Sequence, residues 1–140
     1  MNKVAVFIAS GSGMGANAAK TLANKGYNIA IMSSSGKAEK LAKQLNGIGY
    51  TGSNLNTKDL EAFINEVLGK WTKIDVLVNS AGHGPKGEIL NISDQEWFKG
   101  MEIYFLNVVR TLRIVTPIMV KQNQGSIINI STFATFEPEV

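Results

Sequence analysis

No cysteine occurs in this 140-residue chain, so disulfide staples, cysteine nucleophiles and thiolate-bound metal are all excluded. Histidine is almost missing too: His83 stands alone, and no cluster of ligating residues suggests a metal site. Charged residues make up only 18%, and the net charge of +3 comes from lysines scattered between Lys3 and Lys121, without a basic block. That spread gives no footprint for nucleic acid. Long hydrophobic runs are lacking as well. The stretch Val4 to Ala9 after Met1-Asn2-Lys3 is shorter than a secretory h-region, and glycines from Gly11 onward interrupt its continuation. No apolar run approaches the roughly 20 residues that span a bilayer. The expectation is a soluble, cytoplasmic protein without membrane or nucleic-acid partners.

What is present is a 44% hydrophobic sequence with strand and helix signals in alternation. A chain of this length makes one domain that buries roughly 68–70% of its unfolded surface. Val4 to Ala9 reads as a strand, followed by a helix to about Lys25 that Gly26 ends. Tyr27 to Met32 is a second strand, Lys37 to Leu45 a helix, and Ile48 to Tyr50 a short third strand. Asn56 or Thr57 caps a helix whose apolar face holds Leu60, Phe63, Ile64, Val67 and Leu68. Ile74 to Val78 is a fourth strand. Ser93-Asp94-Gln95-Glu96 forms a capping box opening the longest helix, with Trp97, Met101, Phe105, Val108, Leu112 and Val115 on one face. Pro117 is expected to kink or shorten that helix, and Ser126 to Ile130 is a fifth strand.

Alternation of this kind implies right-handed crossovers and a parallel sheet of about five strands with helices on both faces. The fold class is therefore α/β, a Rossmann-like three-layer sandwich. Ligands of such sheets bind at the carboxyl ends of the strands. Ser10 to Gly15, Ser33 to Ser35, Asn79 to Gly82 and Ser131 to Thr135 should then line one crevice. The glycine turn Ser10-Gly11-Ser12-Gly13-Met14-Gly15 lies between strand and helix, where a missing Cβ and free helix N–H groups suit a phosphate. A turn of this type also occurs without a ligand, or in methyltransferase and flavin sites.

Together with Ile74-Asp75-Val76-Leu77-Val78-Asn79-Ser80-Ala81-Gly82, the turn resembles the amino-terminal part of the short-chain dehydrogenase/reductase family. That family carries TGxxxGxG after its first strand and NNAG after its fourth. The segments Pro117-Ile118-Met119 and Gly125 to Thr132 match the stretch leading to its catalytic serine, and the resemblance covers residues 1–140. It implies a single NAD(P)-binding Rossmann domain, hydride transfer on a carbonyl or alcohol, and homo-oligomers or a complementing chain. Ala9, Ser10, Ser12, Gly13, Met14 and Gly15 would then hold the phosphate side of the cofactor. Ser33 and Ser34 would meet the adenine ribose, Asn54 and Leu55 the adenine, and Asn79, Ala81 and Gly82 the other half.

Departures from the family pattern narrow these implications. Ile8-Ala9 stands where the family has Thr-Gly, and alanine is tolerated there if its φ is negative. Ser33-Ser34-Ser35 with Lys37 replaces the acidic residue that would bind both ribose hydroxyls, so NADP is preferred over NAD. Aligned through Pro117, the family's catalytic asparagine falls on Tyr104, with Asn107 one turn along the same face; the plain reading of Tyr104 is a buried helix aromatic. Thr132 takes the catalytic serine position and keeps a hydroxyl able to polarise a carbonyl. His83 reads as loop surface, with a substitute proton donor as the sharper reading. The family's YxxxK would fall beyond Val140, so a cofactor-holding half with an apolar surface near the fifth strand and the long helix is expected. Two functions stay open: a truncated or divergent NAD(P)-dependent reductase, and a catalytically inert nucleotide-binding or subunit-interaction module.

Overall fold

Val4–Ile8 consists of apolar residues that are all buried, as the central strand of a two-sided sheet requires, and it forms β1. The computed structural model describes residues 2–82, 84 and 87–132. The elements after β1 are α1 (Gly13–Asn24), β2 (Asn28–Ser33), α2 (Lys37–Gln44), β3 (Ile48–Thr51) and α3 (Thr57–Trp71). Then come β4 (Val76–Asn79), α4 (Asp94–Met101), α5 (Asn107–Gln122) and β5 (Ser126–Asn129). The sheet is parallel throughout, in the order β3-β2-β1-β4-β5, which is the expected Rossmann-like arrangement.

Alternation along β1 divides the core. Val4, Val6 and Ile8 face Leu60, Phe63, Ile64 and Val67 of α3 and Val115 and Met119 of α5. Ala5 and Phe7 face Ala16 and Ala19 of α1 and Ala38, Leu41 and Ala42 of α2. Burying each large side chain, such as Phe7 or Phe63, stabilises by about 1.5–3 kcal/mol. Local chemistry sets the ends. Gly26 at φ +82 follows α1, where its N–H donates to the Ala23 carbonyl and that of Tyr27 to Leu22. Asn56 Oδ1 accepts from Lys58 N–H to cap α3, and Ser93 and Glu96 form the capping box of α4.

The amino-terminal edge of the sheet is fastened by Asp75. Its Oδ2 accepts Val4 N–H at 2.7 Å and lies 3.0 Å from Lys73 Nζ, while its carbonyl accepts Ser126 N–H at 2.9 Å. Gln122 at the end of α5 pairs both ways with the backbone of Ile74, at 3.0 and 2.8 Å. The return into β4 is therefore tied to the helix that follows it.

The long helix departs from expectation in three ways. It runs unbroken from Asp94 to Gln122, 29 residues, through a π segment at Glu102–Leu106, and Pro117 does not end it. Its most apolar 18-residue window has a mean hydropathy of 1.4, so by length and composition it could cross a bilayer, correcting the expectation that no stretch approached that measure. A mostly buried core helix passes the same measure; here 22% of the window is buried, with Val115 and Met119 in the core. Finally, the expected single apolar face does not hold. Asn107, Thr111, Val115 and Met119 are the buried residues of α5, while Trp97, Met101 and Phe105 are about half exposed. Ile127 and Ile128 of β5 are exposed as well, so apolar surface near the fifth strand and the long helix is present.

Candidate functional site

Each ladder continues one step past its strand end, which lines up the loops at the carboxyl edge. Ser10 N–H donates to the Met32 carbonyl, Ser80 N–H to Ile8, Gly52 N–H to Ser33 and Ile130 N–H to Asn79, at 2.9–3.1 Å. Because β1 lies between β2 and β4, the sheet changes winding direction beside β1, and the glycine turn leaves from that switch point.

The turn is shaped by close approach. A Cβ on Gly15 would lie 2.3 Å from Ser10 Oγ, 2.7 Å from Ser10 Cβ and 3.0 Å from Ser80 Oγ. One on Gly11 would lie 2.7 Å from Ser33 Oγ and 3.1 Å from Lys37 Cβ. The glycines thus bring the turn against both neighbouring loops. Gly13 opens α1 at φ +63; Ser12 is extended, makes no side-chain cap, and no acidic residue occupies the first turn. The first N–H groups of α1 are therefore left for an anion, with the positive end of the helix dipole behind them. Met14 is exposed beside them.

Ala9 overturns one expectation: its φ is +57, the left-handed region, where glycine would be unstrained. Its methyl packs on the core cluster of β1 and α3, which offsets part of the strain. Ser33 is buried and its hydroxyl donates to the Ser35 carbonyl at 2.7 Å, so its proton is engaged within the turn. Ser34 and Lys37 are exposed there and are the groups that can meet a phosphate. Asn54 and Leu55 follow β3, in a loop held by Asp59 Oδ2 accepting Ser53 N–H at 2.8 Å; Leu55 is exposed.

Asn79 is buried, and its Nδ2 donates to Asn129 Oδ1 at 2.9 Å across the β4–β5 ladder. Its Oδ1 is buried without a partner, an unmet acceptor at the edge of the crevice. Ala81 and Gly82 continue from it. Thr132 follows β5 on the same edge and is exposed. Residues 133–135 of the expected crevice, His83, Pro85 and Lys86 lie outside the described residues.

Tyr104 is corrected from buried to 51% exposed, and its hydroxyl accepts Gly84 N–H at 2.7 Å. Asn107, by contrast, is buried and its Nδ2 donates to the Ile103 carbonyl. Tyr104 lies within the π segment and Asn107 just after it, and the first is turned to solvent while the second is buried. A mostly apolar cavity of about 150 Å³ is lined by Ile92, by Glu96, Trp97, Gly100 and Met101 of α4 and by Tyr104, away from the glycine turn. Two contributors escaped the reading of the sequence. Ser80 abuts Gly15, and its place inside the Asn79–Gly82 loop was the available signal; the Tyr104–Gly84 contact had none.

A doubly wound sheet with a glycine turn and an open helix start at its switch point defines the class: a Rossmann-like domain shaped to hold an anionic ligand. The profile of the family described as short chain dehydrogenase matches residues 3–140, and the chain belongs to that family. It is 30% identical over 139 residues to the 3-oxoacyl-(acyl-carrier-protein) reductase of Staphylococcus epidermidis, covering 94% of this chain and 57% of the relative. The Staphylococcus aureus reductase of the same name is 31% identical, with 94% and 56% covered. The chain thus spans little more than half the length of the curated relatives it matches. Among solved structures, actinorhodin polyketide ketoreductase with NADPH superposes with a TM-score of 0.91 at 24% identity, covering 99% of this chain and 56% of that one. L-Sorbose reductase from Gluconobacter frateurii, complexed with NADPH and L-sorbose, gives 0.90 at 25% identity, covering 99% and 55%.

Proposed function

We propose that the chain holds a nicotinamide dinucleotide, NADP in preference to NAD, and serves hydride transfer on a carbonyl or alcohol. The observation that carries this reading is the glycine turn pressed between Ser33 and Ser80 and opening onto the uncapped start of α1. The donor set fits the cofactor. Backbone N–H groups at Gly13 to Gly15 suit the pyrophosphate, and Ser34 and Lys37 suit a 2′-phosphate through charge-assisted hydrogen bonds. The unmet Asn79 Oδ1 and the small residues Ala81 and Gly82 suit the other ribose. When bound, the nicotinamide supplies or takes the hydride.

Of this chain's own residues, Thr132 holds a hydroxyl at the carboxyl edge, where it would donate to the substrate oxygen. The reductases named above, two of them with NADPH in their structures, support NADP and a carbonyl substrate such as a 3-oxoacyl thioester. Assembly into homo-oligomers or with a complementing chain is part of the proposal, supported by the exposed Trp97, Phe98, Met101 and Phe105. A second reading, an inert nucleotide-binding or subunit-interaction module, is favoured by Tyr104 and Thr132 at positions where the family has asparagine and serine. Fluorescence titration with NADPH and NADH, followed by absorbance loss with aldehydes, ketones and a 3-oxoacyl thioester, separates the two. Tighter NADPH binding is expected; turnover sinks the inert module, binding without turnover favours it, and no binding at millimolar cofactor sinks both.

A further inference from the structure

Two backbone N–H groups that follow β4 are held, the second by a side chain of the long helix. Ser80 N–H donates to the Ile8 carbonyl at 3.1 Å. At Gly84, the backbone N–H donates to the hydroxyl oxygen of Tyr104 at 2.7 Å. The ring also shapes the loop: a Cβ on Gly82 would lie 3.6 Å from Tyr104 Cε1, and one on Gly84 only 2.3 Å from Cε2. Gly84 therefore stands where the aromatic ring needs room, while a Cβ at Gly82 would only touch it.

Tyr104 lies on a braced stretch of helix. It sits in the π segment Glu102–Leu106, an irregularity that recurs at functional sites. Glu102 Oε2 meets Arg110 Nη2 at 2.6 Å, spanning the segment, and buried Asn107 donates to the Ile103 carbonyl. A side chain on a braced stretch of helix that accepts one N–H can fix the position of that group, which would otherwise turn to water.

We propose that Tyr104 is a positioning residue: by accepting the Gly84 N–H it latches that residue after β4 where the nicotinamide half of the dinucleotide is admitted. This rests on the cofactor reading above. Tyr104→Phe keeps the ring and removes the acceptor, and loss of one ordinary hydrogen bond corresponds to about a two- to tenfold change in affinity. Adenosine 2′,5′-bisphosphate, which would reach the glycine turn, the end of β2 and the Asn54–Leu55 loop but lacks the nicotinamide half, serves as the internal control.

The test is carried out on the full chain with Tyr104→Phe and Gly84→Ala, which disturb the contact from opposite sides. NADPH should weaken about two- to tenfold in both, while the bisphosphate stays unchanged. Amide exchange at Gly84 should accelerate in Tyr104→Phe, with Ser80 N–H unaffected. Equal weakening of both ligands would mark general loosening and overturn the latch, as would unaltered Gly84 exchange. If the wild-type chain bound the bisphosphate but not NADPH, the cofactor reading would fall and the role of the latch with it. Exchange at Gly84 would still report whether the contact exists.

Discussion

Replacing Gly15 with alanine sets two effects of opposite sign against each other. Within a helix, alanine is favoured over glycine by about 0.8–1.0 kcal/mol. Against that stands a Cβ placed 2.3 Å from Ser10 Oγ and 2.7 Å from Ser10 Cβ. Rotating the Ser10 hydroxyl would relieve only the first contact and would break its hydrogen bond to the Ile8 carbonyl, at a cost of about 0.5–1.5 kcal/mol. The second contact needs a shift of the turn itself, an overpacking cost of about 1–3 kcal/mol. The clash wins, and Gly15→Ala is expected to destabilise by about 1–3 kcal/mol, or roughly 3 °C in Tm per kcal/mol for a domain of this size. Thermal unfolding followed by circular dichroism measures it. The double variant Ser10→Gly/Gly15→Ala removes both clashing atoms and should recover at least half of the loss. An unchanged or raised Tm in Gly15→Ala, or no recovery in the double variant, would refute the close-packing account of the turn.

At Ala9, glycine removes left-handed strain of about 1–2 kcal/mol but adds unfolded-state freedom and loses a packed methyl, so Ala9→Gly should stay within about 1 kcal/mol of the parent. Ala9→Val, β-branched at positive φ, should lose more than about 2 kcal/mol; equal stability of the two variants in urea unfolding would contradict the observed φ. Asp75→Ala leaves the buried Val4 N–H unpaired and should cost about 1–3 kcal/mol, with Asp75→Asn milder because an acceptor remains. Glu96 carries the pH dependence of α4: the Ser93 backbone N–H, then the Ser93 hydroxyl, hold its carboxyl below the usual glutamate range. A folded-state value below the unfolded one means a contribution present above the ordinary glutamate range and lost as pH falls through the folded value. An NMR titration showing an ordinary midpoint for Glu96 would contradict this.

Locally encoded features were legible in the sequence. Gly26, Asn56 and the Ser93–Glu96 box act within a few residues of themselves, so the element ends they mark fall where composition puts them. Buried strands announced themselves by continuous apolar runs, and the loop positions followed from topology. What was hidden depends on tertiary context. The sign of φ at Ala9 is set by the way β1 enters the turn, and Tyr104 meets a loop 20 residues earlier in the chain. Pro117 is tolerated because α5 is held on both sides of it, by Thr111 and Val115 before and by Met119 and Gln122 after.

The π segment gives the long helix a change of phase. Apolar positions from Trp97 to Val115 keep step with 3.6 residues per turn, yet the half before Glu102 shows its apolar side to solvent while the half after it faces the sheet. One residue corresponds to about 100° of rotation. Deleting a single residue between Glu102 and Leu106 would therefore swing Trp97 and Met101 by that angle while leaving Val115 and Met119 in place. In this chain, helix length is a dial: a one-residue change can re-aim an entire surface without rewriting any residue on it.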